Sequence, residues 1–94
     1  MSANGDYPIG QIRGDFPILS EKVRGKPFVY LDNGASAQKP SAVIEQISKT
    51  YETGYANVHR GVHYMSQIAT DAMEDARRKV KDLLKAADEK EIIF

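Results

Sequence analysis

The sequence has no cysteine, no excess of charge of either sign and no long apolar run, and each absence removes a class of function. Without cysteine, disulfide frameworks, thiolate zinc sites and cysteine nucleophiles are impossible within these 94 residues. Thirteen basic residues offset thirteen acidic ones, so no global field attracts nucleic acid or an anionic membrane. No window approaches the roughly 18 consecutive apolar residues of a membrane span, and Met1–Gly14 lacks the basic-then-apolar order of a signal peptide. The expectation is a soluble, cytoplasmic protein with neither nucleic acid nor membrane as a partner. Internal repeats, low-complexity tracts and Walker, Rossmann or zinc signatures are also missing.

What is present reads as one domain: 41% apolar and 28% charged residues are ordinary globular composition. Residues 1–8, rich in small polar types and closed by Pro8, read as a flexible tail. Ile9, Ile12 and Phe16 share helical spacing, which predicts a helical turn over Ile9–Asp15 limited by Pro17. The charged stretch Ser20–Lys26 contains Gly25 and predicts a turn, and the apolar run Phe28–Leu31 predicts a strand. A helix is expected from Ser41, as its N-cap, to a stop at Gly54, with Val43, Ile44, Ile47 and Tyr51 on one face. A longer helix is expected over Ser66–Ala87, where Ile68, Ala72, Met73, Ala76, Val80 and Leu84 recur at helical spacing. Its opposite face sets Glu74 before Arg78 and Asp75 before Lys79 at i,i+4. Asp88–Glu91 then turns the chain into Ile92-Ile93-Phe94, read as the start of a buried strand. Nothing after that run covers it, and a bare apolar edge invites pairing with other chains, so truncation of a longer protein is the expectation. The fold class is α+β, mostly helical, with one or two short strands.

Two segments offer chemistry. The first, Asp32 to Pro40, lies between the predicted strand and helix; its small side chains let backbone approach a ligand, and the amides of a helix start favour an anion. The second is Asn57-Val58-His59-Arg60-Gly61-Val62-His63. Its two histidines stand at the i,i+4 spacing of helical metal ligands, but Gly61 and two valines oppose a helix there and no third ligand is near, which disfavours a metal site. Arg60 can clamp a carboxylate or phosphate through two parallel hydrogen bonds.

Read in order, Arg13-Gly14-Asp15-Phe16-Pro17-Ile18-Leu19, Tyr30 to Pro40 and Tyr55 to His63 resemble the start of group II cysteine desulfurases of the Suf sulfur-mobilisation system, in the class V aminotransferase superfamily. The resemblance runs from about Ile9 to Phe94. It implies a fold-type-I pyridoxal-phosphate enzyme, homodimeric, converting L-cysteine to L-alanine and passing a persulfide to a sulfur-acceptor protein for iron–sulfur cluster assembly. Residues 9–64 would be the small-domain start and active-site entrance, and residues 65–94 the lead into the large domain. Ala35 and Ser36 would face the substrate side of the cofactor, with His59 and Arg60 at the active-site mouth. Gly34 stands where many relatives have alanine. The family's cofactor lysine, the aspartate paired with the pyridine nitrogen, the stacking histidine and the persulfide cysteine have no counterpart here, so no bound cofactor, no catalytic residue and no activity are expected of the 94 residues alone. The alternatives are a stand-alone interaction module, or another class V activity such as selenocysteine lyase. The two longer helices are expected to persist, with the termini disordered or self-associated.

Overall fold

Arg24 and Gly25 both adopt positive φ, 53° and 78°, the pairing that a two-residue hairpin turn requires. In the computed structural model, which describes residues 5–94, that turn joins β1 (Lys22–Val23) to β2 (Lys26–Pro27), antiparallel with Val23 opposite Lys26. Residues 1–4 of the expected tail lie outside the described residues. The chain divides into two units, Met1–Ser48 and Lys49–Phe94.

In the first unit, helix α1 (Ile9–Gly14) is followed by a 3₁₀ turn over Pro17–Ser20, then the hairpin, then the start of helix α2 (Ser41–Thr53). The fold class expected from sequence is observed, but the strands are not where the apolar runs put them. Phe28–Leu31 lies outside any strand. Its ladder stops after the Phe28 amide donates to the Glu21 carbonyl at 3.1 Å, because no further segment among the described residues offers a partner edge. Val29 and Leu31 consequently stay exposed. Ser41 proves to be the first helical residue rather than the N-cap. Its amide is satisfied by the Asp15 carbonyl at 2.8 Å, which pins the start of α2 to the end of α1.

In the second unit α2 ends at Thr53, and Gly54 closes its last turn by donating to Thr50 at 3.0 Å. Helix α3 (Tyr64–Leu84) begins earlier and ends earlier than periodicity predicts. His63 takes extended angles and its ring accepts the Ser66 amide, an N-cap supplied by an imidazole. At the far end Lys85 turns left-handed (φ 54°), and the Ala86 amide reaches back to the Lys81 carbonyl at 3.0 Å, a closure more often made by glycine. The Asp88–Glu91 turn is a 3₁₀ element over Glu89–Glu91 held by a reciprocal Asp88–Glu91 capping box. The Ile92–Phe94 run is not a strand. The Arg77 guanidinium binds the Ile92 carbonyl and lies 4.8 Å over the Phe94 ring, so this segment docks on α3 through one cation. Among the described residues, Ile92 is the one buried large apolar side chain, at 8% exposure.

Candidate functional site

The two sequence segments with chemical character fall in different units, Ala35 and Ser36 in the first and His59 and Arg60 in the second. The Asp32–Pro40 loop is folded onto its own backbone. The Asp32 carbonyl accepts from the amides of both Ala35 and Ser36, at 3.0 and 3.1 Å. The Asn33 side chain accepts the Gln38 amide at 3.0 Å, and the Tyr30 hydroxyl donates to the Ser36 carbonyl at 2.6 Å. Tyr30 thus acts as a strut, a role that its place in an apolar run conceals. Ala35 and Ser36 are exposed. Ser36 lines an open cleft of about 560 Å³ with Pro17, Ile18, Glu21 and Lys39.

The Asn57–His63 loop is gripped by α3. Ser66, Thr70 and Glu74 recur every four residues on one helix face, and each takes one loop group. Ser66 Oγ donates to the Asn57 carbonyl at 2.6 Å, Thr70 Oγ1 accepts the His59 amide at 2.9 Å, and Glu74 Oε1 meets His59 Nε2 at 2.9 Å. Ser66 is 1% exposed. Gly61 lies so close to it that a Cβ there would stand 2.5 Å from Ser66 Oγ. His59 holds a positive φ of 61°, a left-handed conformation uncommon outside glycine but one that histidine, like asparagine and aspartate, enters more readily than most. Arg60 is exposed, and among the described residues no hydrogen bond or ion pair engages it, which leaves a guanidinium available for an anion.

Glu74 is the electrostatic centre of the unit. Sequence spacing pairs it with Arg78, but its Oε2 accepts from Arg77 Nε at 3.1 Å while Arg78 turns to Asp75 at 3.8 Å. The expected Asp75–Lys79 pair forms, at 3.1 Å. Glu74 lies below the ordinary glutamate value of 4.5, chiefly through the Arg77 hydrogen bond, opposed by partial desolvation and reinforced by the charge of Arg77 and the contact with His59. A depressed carboxyl contributes its linkage fully above 4.5 and loses it as pH falls through the lowered value. Acidification below 4.5 is therefore expected to detach the His59 ring from α3, seen as loss of nuclear Overhauser contacts between the ring and Glu74. Contacts that persist unchanged into strong acid would remove the carboxylate from this role.

The two histidines are engaged separately. One ring is bound to Glu74 and the other caps α3, and among the described residues no group of three ligating side chains converges. Ser66, Thr70 and Glu74, with Arg77 behind Glu74, are the residues that sequence reasoning did not assign to this loop. The signal was the four-residue repeat of polar positions beside the apolar stripe.

The family model described as Aminotransferase class-V matches residues 29–94. Over 89 residues the chain is 53% identical to a cysteine desulfurase of Yersinia pestis (strain Pestoides F), a match covering 95% of this chain and 22% of that protein. Identity and coverage are the same for a cysteine desulfurase of Yersinia pseudotuberculosis serotype O:3 (strain YPIII). The chain thus spans 22% of the length of these curated relatives.

Proposed function

The chain belongs to the aminotransferase class-V family, and from that premise we propose that it is the N-terminal part of a group II, Suf-type cysteine desulfurase. The whole protein, on this reading, is a cytoplasmic homodimer that converts L-cysteine to L-alanine and hands the sulfur, as a persulfide, to an acceptor protein for iron–sulfur cluster assembly. The observation that carries the reading is 53% identity to a cysteine desulfurase across 95% of the chain. Residues 9–64 supply the entrance loops and residues 65–94 the lead into the cofactor domain. Ala35 and Ser36 contact substrate from a loop braced by Tyr30, and His59 and Arg60 do so from a loop braced by α3.

The residues present do not fit pyridoxal phosphate by themselves. A lysine that condenses with the cofactor must first lose its proton, which burial promotes. No lysine among the described residues is buried. Lys39, on the Ser36 cleft, donates to the Ala37 carbonyl at 2.6 Å, and the less exposed Lys81 pairs with Asp82 at 3.6 Å. Cofactor binding is accordingly assigned to residues beyond these 94.

Pyridoxal phosphate titration tests the assignment. The 94-residue polypeptide is expected to give neither a new absorbance band nor alanine from L-cysteine, and a longer protein containing it to give both. A band and turnover from the polypeptide alone would overturn the division of labour. In the active protein, Arg60→Ala removes a charge-assisted contact worth about 1.5–3 kcal/mol. Its kcat/KM should fall roughly tenfold to a hundredfold with folding intact, and unchanged kinetics would take Arg60 off the substrate side.

A further inference from the structure

His59 belongs to the substrate side only if something holds its ring, and the ring's one partner is specific. We propose that Glu74 is the positioning residue for His59, fixing its imidazole with the proton on Nε2 and leaving Nδ1 as the nitrogen that meets substrate. This rests on the reading of His59 as an active-site-mouth residue and adds to it a defined tautomer and the residue responsible.

His59 sits at φ 61° because its amide is tied to Thr70 Oγ1 and the preceding Asn57 carbonyl to Ser66 Oγ. These contacts deliver the ring to α3, where Nε2 stands 2.9 Å from Glu74 Oε1. The other carboxylate oxygen accepts from Arg77 Nε at 3.1 Å, and Arg77 Nη2 reaches Oε1 more weakly at 3.5 Å. Arg77 in turn is held by the Ile92 carbonyl and the Phe94 ring. A guanidinium has only donors, so Glu74 faces it as an acceptor, and an ionised carboxylate has no proton to give on its other side. The depressed carboxyl pKa agrees with that ionised state. The hydrogen between Glu74 and His59 therefore belongs to the imidazole, on Nε2. A carboxylate behind one histidine nitrogen fixes which nitrogen remains available.

Glu74→Gln turns this into a sharp test. The amide oxygen should face Arg77 Nε, the shorter Arg77 contact at 3.1 Å against 3.5 Å for Nη2 on the His59 side, because an NH₂ group there would meet the nearer donor. The NH₂ group is then directed at His59 Nε2, which has to accept. The variant should move the proton of the neutral ring from Nε2 to Nδ1. Nitrogen-15 NMR of the ring in mildly alkaline solution reads this directly for both histidines. His63 is an internal reference, since its Nδ1 accepts the Ser66 amide at 3.2 Å whatever stands at position 74. The expected result is Nε2–H at both rings in the parent chain, and a swap at His59 alone in the variant. A mixed His59 tautomer in the parent chain would overturn the proposal even if the variant fails to fold, and so would a His59 spectrum that ignores the substitution while His63 and helix content are unchanged. The activity reading fails separately. A tautomer swap with kcat/KM of the whole enzyme unaltered would leave Glu74 positioning a ring that substrate does not use.

Discussion

Gly61→Ala is expected to dislodge the Asn57–His63 loop from α3 and to be among the most damaging single substitutions in the chain. A Cβ at position 61 would lie 2.5 Å from Ser66 Oγ and 2.6 Å from Ser66 Cβ, distances that something must relieve by moving. Ser66 cannot yield cheaply, being 1% exposed, with its hydroxyl on the Asn57 carbonyl and its amide on the His63 cap. Overpacking of this kind costs about 1–3 kcal/mol, and a buried hydroxyl left without its acceptor adds about 1–3 kcal/mol more. The first turn of α3 and the His59 amide should both lose hydrogen-exchange protection. Gly34→Ala is the control: nothing lies within 4 Å of a Cβ there and its φ is ordinary, so it should stay within about 0.5 kcal/mol. Ser66→Gly removes the clashing atoms, and in combination with Gly61→Ala it should recover part of the loss. Equal protection in Gly61→Ala and the parent chain would mean that the loop is not anchored through Ser66.

That anchor illustrates what was legible in the sequence and what was not. Helix α2 appears close to its predicted bounds, shifted only in that Ser41 is its first residue rather than its N-cap, because Val43, Ile44, Ile47 and Tyr51 define one face and Gly54 marks the stop. Such information is local. The α3 bounds shifted because its caps use residues whose propensities are poor guides, an imidazole at His63 and a left-handed lysine at Lys85. Phe28–Leu31 and Ile92–Phe94 have strand composition, yet a strand needs a partner edge, which composition cannot supply. The hairpin formed at Lys22–Pro27 because a tight turn provides that partner within four residues. At the candidate site, His59 and Arg60 could be picked out by residue type. The grip of Ser66, Thr70 and Glu74 on the loop is a tertiary register between segments, and Glu74 offered two partners at helical spacing, Arg77 and Arg78. Helix geometry alone could not choose between them. The choice fell to Arg77, which the Ile92 carbonyl and Phe94 ring hold in place.

The 94-residue polypeptide in dilute solution is expected to lack a sharp cooperative melt and to self-associate as its concentration rises. Helix α2 has 13 residues, a length at which an isolated helix is marginal in water. Its apolar face, Val43, Ile44, Ile47 and Tyr51, remains exposed, as does Leu31 at 92%. Covering three such side chains is worth up to roughly 5–8 kcal/mol, at about 1.5–3 kcal/mol each, comparable with the entire stability of a small domain. Helix content by circular dichroism should therefore rise with concentration, alongside sedimentation of larger species and binding of a hydrophobic dye. Ile47→Asp, placing a charge on the exposed face, should suppress all three while leaving the α3 signals of His59 and His63 unchanged. A monomer with concentration-independent helicity and a sharp melt would show that the α2 face needs no cover. That result would count against the proposal that these residues are built to pack within a larger desulfurase, because the exposed face is the physical reason for them to do so.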